Sequence, residues 1–302
     1  MLGRRHFVIA GGLLLACMVL VGCAESVDTR LGIDHPFSVY GMINPNADTH
    51  AVRVFEIHSD ITLVRPGPID AVVTTTLLQT GVKQTWRDSV IQLADGDYRH
   101  VFWATFAARE GETYRLEITR SDGATTSAVV TVPPPITLEV SDQTRSSVEA
   151  IVPVFINGNP PALPRIDVEY IVVGFREGGS DPIFKPALFN YAEKARRWQG
   201  RWEIEIHLGN DYLEIFRAFD RDNNVTAAII DLRAINVTVH VGDSSWVSPT
   251  GAFDPEALVE PGTFTNVQNG FGFFGSGYTE SITFRPSIAL LRKAGFHIPG
   301  DE

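Results

Sequence analysis

Two imidazoles, His207 and His240, fall at the ends of strand-like runs and are the first side chains here that suggest metal chemistry. A zinc site needs three or four ligands, so the pair reads as strand-end histidines. Asp220-Arg221-Asp222-Asn223-Asn224 offers side-chain oxygens at alternate positions, as the start of a calcium loop does. The glycine that lets such a loop turn is replaced by Val225, and strand-like segments flank it. A polar hairpin turn is the better reading, since Asp and Asn bond their own backbone there. His-Glu-x-x-His, a Gly-rich phosphate loop and Gly-x-Ser-x-Gly are all absent. Carboxylates are plentiful, but the sequence pairs no two of them across a cleft. The expectation is no catalytic residue, no metal and no cofactor.

Two segments carry the chemistry of docking instead. Lys194, Arg196, Arg197 and Arg201 cluster around Trp198 and Trp202 in an acidic chain. They could meet an acidic partner or lipid headgroups, but such a cluster is more often a solvated face with stems over aromatics. Between Asn266 and Tyr278, the rings Phe271, Phe273, Phe274 and Tyr278 interleave with Gly270, Gly272, Gly275 and Gly277. One reading is an aromatic docking loop. The other is a loop that pins the C-terminus across the sheet with its rings in the core. Burial favours the second, with Tyr278 as the ring left partly exposed. The candidate docking residues are therefore Trp198, Arg196, Arg197, Phe271, Phe273 and Tyr278.

The N-terminus carries a different signal. Arg4 and Arg5 precede an uncharged apolar run from Phe7 to Val21, too short to cross ~30 Å of hydrocarbon comfortably. Leu20-Val21-Gly22-Cys23 then looks like a bacterial lipobox, in which cleavage before Cys23 leaves that cysteine lipidated. Arg4-Arg5-His6-Phe7-Val8 also resembles a twin-arginine export motif, although a basic start is ordinary in any signal peptide. Residues 1–22 are expected to be a lipoprotein signal peptide and 23–35 a polar tether.

These segments need a scaffold, and the composition supplies one. With 302 residues, 44% hydrophobic, the chain can bury the cores of two domains. Its net charge of -11 argues against nucleic acid as partner. Both cysteines lie in the first 23 residues, so the rest of the chain has no disulfide and no thiolate ligand. Strand signals run from Phe37 to Val132, with Asp122-Gly123 as a hairpin turn. They suggest an immunoglobulin- or fibronectin III-like sandwich over 36–135, able to fold alone. Pro133-Pro134-Pro135 makes a stiff connector. A second β-rich domain is expected over 136–302, with strands at Tyr212–Phe219, Val225–Ile230 and Ile235–Val241. Loops are expected at Asn157–Pro164 and Gly178–Pro186, and helical turns at Ala192–Trp198 and Ser287–Ala294. The fold class is all-β, two antiparallel sandwich-like domains behind a signal peptide.

Cys23, the Phe37–Ile43 strand, Gly111-Glu112-Thr113-Tyr114-Arg115-Leu116, the Pro133–Pro135 connector and the Asn266–Gly275 stretch occur in that order. This resembles a family of outer-membrane lipoproteins of Bacteroidota and relatives, known as domain of unknown function 4249. The resemblance spans nearly the whole chain after Cys23, and Asn-x-x-Asn-Gly-aromatic-Gly-aromatic-Phe-Gly is its distinctive motif. It implies an accessory or lid-like partner of a TonB-dependent outer-membrane transporter, with no catalytic residues to carry over. Expected, then, is a non-enzymatic envelope protein held in the outer membrane by lipid on Cys23. The alternative is a glycan-binding or hydrolytic protein with a site between its two domains. The acidic run that often follows the cysteine in that group is reduced here to Glu25 and Asp28.

Overall fold

In the computed structural model, residues 35–57, 67–92, 96, 98–141, 146–176, 181–223, 227–247 and 265–300 are described. Cys23 and its lipobox lie outside them. Period-two alternation makes the strands: in β2 (Thr49–Glu56), His50, Val52 and Val54 are buried while Thr49, Ala51 and Arg53 are exposed. β1 (Phe37–Ile43), β3 (Val72–Leu77), β4 (Lys83–Thr85), β5 (Arg87–Gln92) and β6 (Tyr98–Thr105) belong with it to the first unit. β7 (Thr113–Thr119) and β8 (Thr125–Thr131) close that unit as a hairpin, with Gly123 at φ +88° in its turn. β9 (Thr137–Val140), β10 (Ile151–Asn157), β11 (Ala162–Arg176), β12 (Ile183–Asn190), β13 (Arg196–Trp198) and β14 (Arg201–His207) follow the prolines. β15 (Ala227–Gly242) and β16 (Gly270–Phe284) are the long last strands.

Among the described residues these strands form three sheets. One runs through both units in the order β12-β11-β15-β16-β1-β2-β6-β5. A sheet β4-β3-β7-β8 faces its first half, and Val39, Val54 and Phe102 meet Val73, Leu116 and Val130 between them. A sheet β13-β14-β10-β9 faces its second half across Val168, Tyr170, Val237, Val154 and Ile204. The architecture is all-β, two sandwiches side by side. β16 joins them. Its residues 270–276 pair with β1 in parallel, and 277–284 pair with β15 antiparallel. The first sandwich therefore takes a strand from the far end of the chain, and Phe274 and Val267 sit in its core.

Three sequence expectations are corrected. Tyr212–Phe219 is not a strand but lies in helix α1 (Leu208–Asn223), which also absorbs Asp220–Asn223 in place of the expected polar turn. Leu208, Ile215 and Phe219 are buried at helical spacing, which is the stripe a core-facing helix requires. Asp211 in its first turn accepts hydrogen bonds at Oδ2 from both Tyr170 and Tyr191, each 2.5 Å. These bonds pin α1 to β11. Burial pushes the Asp211 carboxyl up, and the two phenols oppose it. Next, the expected break between Val225–Ile230 and Ile235–Val241 is absent, because β15 runs unbroken from Ala227 to Gly242. Last, the Asn266–Tyr278 loop is in large part strand β16. Ala192–Trp198 makes one turn of 3₁₀ helix and then β13. Near the end, α2 (Ile288–Ala294) forms as expected, capped by Ser287 and closed by Gly295 at φ +101°.

Candidate functional site

The distinctive Asn-x-x-Asn-Gly motif explains how β16 is seated. Along its first half one edge pairs with β1, and the Asn266 side chain stands in for a strand on the other. Its Oδ1 accepts from Phe274 N at 3.0 Å, and its Nδ2 donates to Phe274 O at 2.5 Å. Asn269 adopts φ 53°, donates to Thr125 O at 2.6 Å and accepts at its own carbonyl from the Thr126 hydroxyl. The glycines permit close parallel approach. A Cβ at Gly272, where φ is +101°, would collide with the Val39 carbonyl, and one at Gly270 would lie 2.6 Å from the Phe37 carbonyl oxygen. Phe273 and Phe274 are buried as expected, Phe273 against Trp246 with ring centroids 4.8 Å apart. Tyr278 is buried too, and the partly exposed ring is Phe271. The reason is a contact between distant parts of the chain. Tyr278 reaches across the seam and donates to Pro134 O at 2.8 Å, tying the proline connector to β16.

That seam carries a groove of about 250 Å³ lined by Asn46, Glu110, Pro133, Ile136, Tyr278 and Glu280. Burial raises the Tyr278 phenol pKa, and the nearby Glu280 and Glu110 add to the shift. Asp243 follows β15 and caps the Ser244–Trp246 turn, accepting from Ser245 N at 3.0 Å. Its carboxyl is pushed up to about 6 by burial, against hydrogen bonds from Ser245 that favour the charged form. Its Oδ2 is buried with no hydrogen-bond partner among the described residues. Nothing in the sequence around Asp243 signals this, because the burial comes from strands distant in the chain.

Arg196, Arg197 and Trp198 do come together, as the edge strand β13. Arg196 meets Glu205 at 2.5 Å and Glu203 at 3.5 Å. Arg197 donates to Asn159 at 2.7 Å and lies 4.8 Å over Trp202. Arg201 lies 3.5 Å over Phe155, and Lys194 3.8 Å over Tyr191. The cluster's cations are thus engaged with acids and rings of their own chain. His207 and His240 lie apart, each near one carboxylate, Glu149 and Asp167 respectively.

The edge strand β12 shows what the sequence reading missed. Part of it was expected as loop, yet its residues alternate strictly, with Phe184 73% and Leu188 58% exposed. Ile171 on β11, opposite Pro186, joins them on the outer face. The signal was present: an apolar residue at nearly every position of Ile183–Phe189, which a one-faced edge strand does not need. Pro186 carries no N–H, so this edge resists the addition of another strand and offers side chains instead.

Two sandwiches sharing one last strand, grooved at the seam and apolar along one edge, define an all-β protein of two fused units. The model of the family described as "Domain of unknown function (DUF4249)" matches residues 33–238, and the chain belongs to that family. Among solved structures, a chain from Dpr2 Ig1-Ig2 in complex with DIP-Theta Ig1-Ig3 is 11% identical. That match covers 57% of this chain and 83% of that one, at a TM-score of 0.19. Bovine butyrophilin is 12% identical over 68% of this chain and 92% of its own, at a TM-score of 0.18. A search of the curated proteins gave no match.

Proposed function

We propose that this is a non-enzymatic cell-envelope lipoprotein, anchored in the outer membrane through Cys23, that serves as accessory or lid-like partner of a TonB-dependent transporter. The observation that carries the reading is the exposed apolar edge at Phe184, Leu188 and Ile171, together with its position. Leu188 pairs through Glu169 and Asn236 to the level of Thr283, whereas β1 begins at the level of Gly270. At about 3.3 Å per residue these levels are roughly 40 Å apart, so the apolar edge lies far from where the tether joins. A rigid spacer with a tether at one end and an apolar edge at the other suits a membrane-held protein that contacts a neighbour. Pull-down from native membranes with mass spectrometry tests it. The wild-type chain is expected to bring down a transporter, and Phe184→Asp/Leu188→Asp to lose it without losing its fold. Equal recovery by the variant would refute the assignment of this edge.

The seam groove supports a second reading, a glycan-binding or hydrolytic site using Glu110 and Glu280. Its test is glycan binding and release of reducing sugar by wild type against Glu110→Gln/Glu280→Gln. No difference between the two chains would remove it.

A further inference from the structure

The outward face of β1, β2, β6 and β5 is the opposite of the acidic average. Its inward residues, Val39, Val54 and Phe102 among them, fill the first core, so alternation turns Tyr40, Arg53, Phe55, Arg87, Arg99 and Trp103 outward. Arginines and rings interleave across the strands. Arg53 lies 5.8 Å from the Tyr40 centroid and 6.0 Å from that of Phe55. Arg99 lies 5.6 Å from the Phe55 ring and Arg87 5.3 Å from Trp103. No outward position on these four strands is Asp or Glu. Among the described residues Arg53 and Arg87 have no carboxylate within ion-pair distance. Among the described residues of these four strands, a chain of net charge -11 thus carries only arginines as its outward charged side chains.

This face also lies where the tether arrives. Phe55 pairs with Ser38, the second residue of β1, and Arg99 is the next strand over. From Cys23 to Phe37 the chain can reach at most about 50 Å at ~3.5 Å per residue. A membrane holding the acyl chain on Cys23 is therefore within reach. Arginine attracts anionic headgroups, and rings that are polar at one edge settle at the bilayer interface.

We infer that this outward face rests on anionic lipid headgroups of the membrane in which Cys23 is anchored. The inference rests on the lipid-anchor reading above, and its test is built to fail separately. The chain from Ala24 to Glu302, which carries every described strand and no acyl chain, is mixed with vesicles of phosphatidylglycerol and phosphatidylethanolamine and floated. It should float with them at low salt and release at about 0.5 M salt, where the Debye length is only a few Å. It should stay unbound with neutral phosphatidylcholine. Arg53→Glu/Arg87→Glu should weaken partitioning at least about tenfold, given roughly 1 kcal/mol per arginine near the surface. Arg115→Glu/Arg217→Glu, an equal charge change elsewhere, should weaken it far less. A matching melt confirms that each variant folds. No flotation, equal flotation of the Arg53/Arg87 variant, or equal binding to neutral vesicles overturns the inference. So does capture of an outer-membrane protein that depends on Arg53 and Arg87 while vesicles are ignored, since the face would then dock protein. Acyl labelling of the native protein with and without Cys23→Ala reports on the anchor independently.

Discussion

Asp243 and Phe274 show how much single residues carry at the seam. Asp243 is buried with a pKa of about 6, against an unfolded value near 3.9. Its folded pKa is the higher, so its contribution to stability is full below about pH 4 and is lost as pH rises through 6. The loss is about 3 kcal/mol at neutral pH. Asn can still accept from Ser245 N but carries no charge. The stability of Asp243→Asn minus that of wild type should therefore grow by up to that amount between pH 4 and pH 7. Denaturant titrations at several pH values check it, and a difference constant across the range would contradict the burial argument. Phe274 is fully buried in the first core although it lies near the chain's end. Phe274→Ala should cost ~3–5 kcal/mol, read by the same titrations at one pH.

At the scale of elements, β16 is the part on which the others depend. Its glycines trade strand propensity for close approach to β1, and Asn266 satisfies the backbone of Phe274 on the free side. Gly272→Ala should be more damaging than an ordinary Gly-to-Ala change. It demands positive φ and also drives a methyl into the Val39 carbonyl. The expected result is a melt lowered by several degrees or a chain that fails to fold, whereas Gly81→Ala, at positive φ with open space around it, should be mild. Similar melts for the two would mean that β1 and β16 are not in the close parallel register described.

At the scale of the whole molecule, the shared strand sets the unit of folding. The proline connector suggests a first domain of 36–135 that folds alone. That segment lacks Phe274 and Val267 and leaves β1 with an open edge. The fragment is expected to show β-type circular dichroism without a sharp melt, while the full chain melts cooperatively. A cooperative melt of 36–135 near the full chain's midpoint would show that β16 is dispensable to the first sandwich.

Local signals settled a great deal. Alternation marked β1 at Phe37–Ile43 and the run of strands from Phe37 to Val132, because a strand with one buried face must alternate wherever it sits. Asp122-Gly123 announced its own hairpin through backbone sterics. The stripe Leu208, Ile215, Phe219 was legible as a helix but competed with aromatic residues of high strand propensity. What pairs with what lay beyond the sequence. Phe37 meets Gly270, Tyr278 meets Pro134, and Arg53, Phe55 and Arg99 form one ladder only because register aligns three strands. Such contacts leave no local trace, since the energy that selects them comes from closing a core between segments far apart in the chain. The sequence could therefore determine which residues form strands and which faces they bury, while only the tertiary structure decided that two sandwiches share one strand and which outward faces they present.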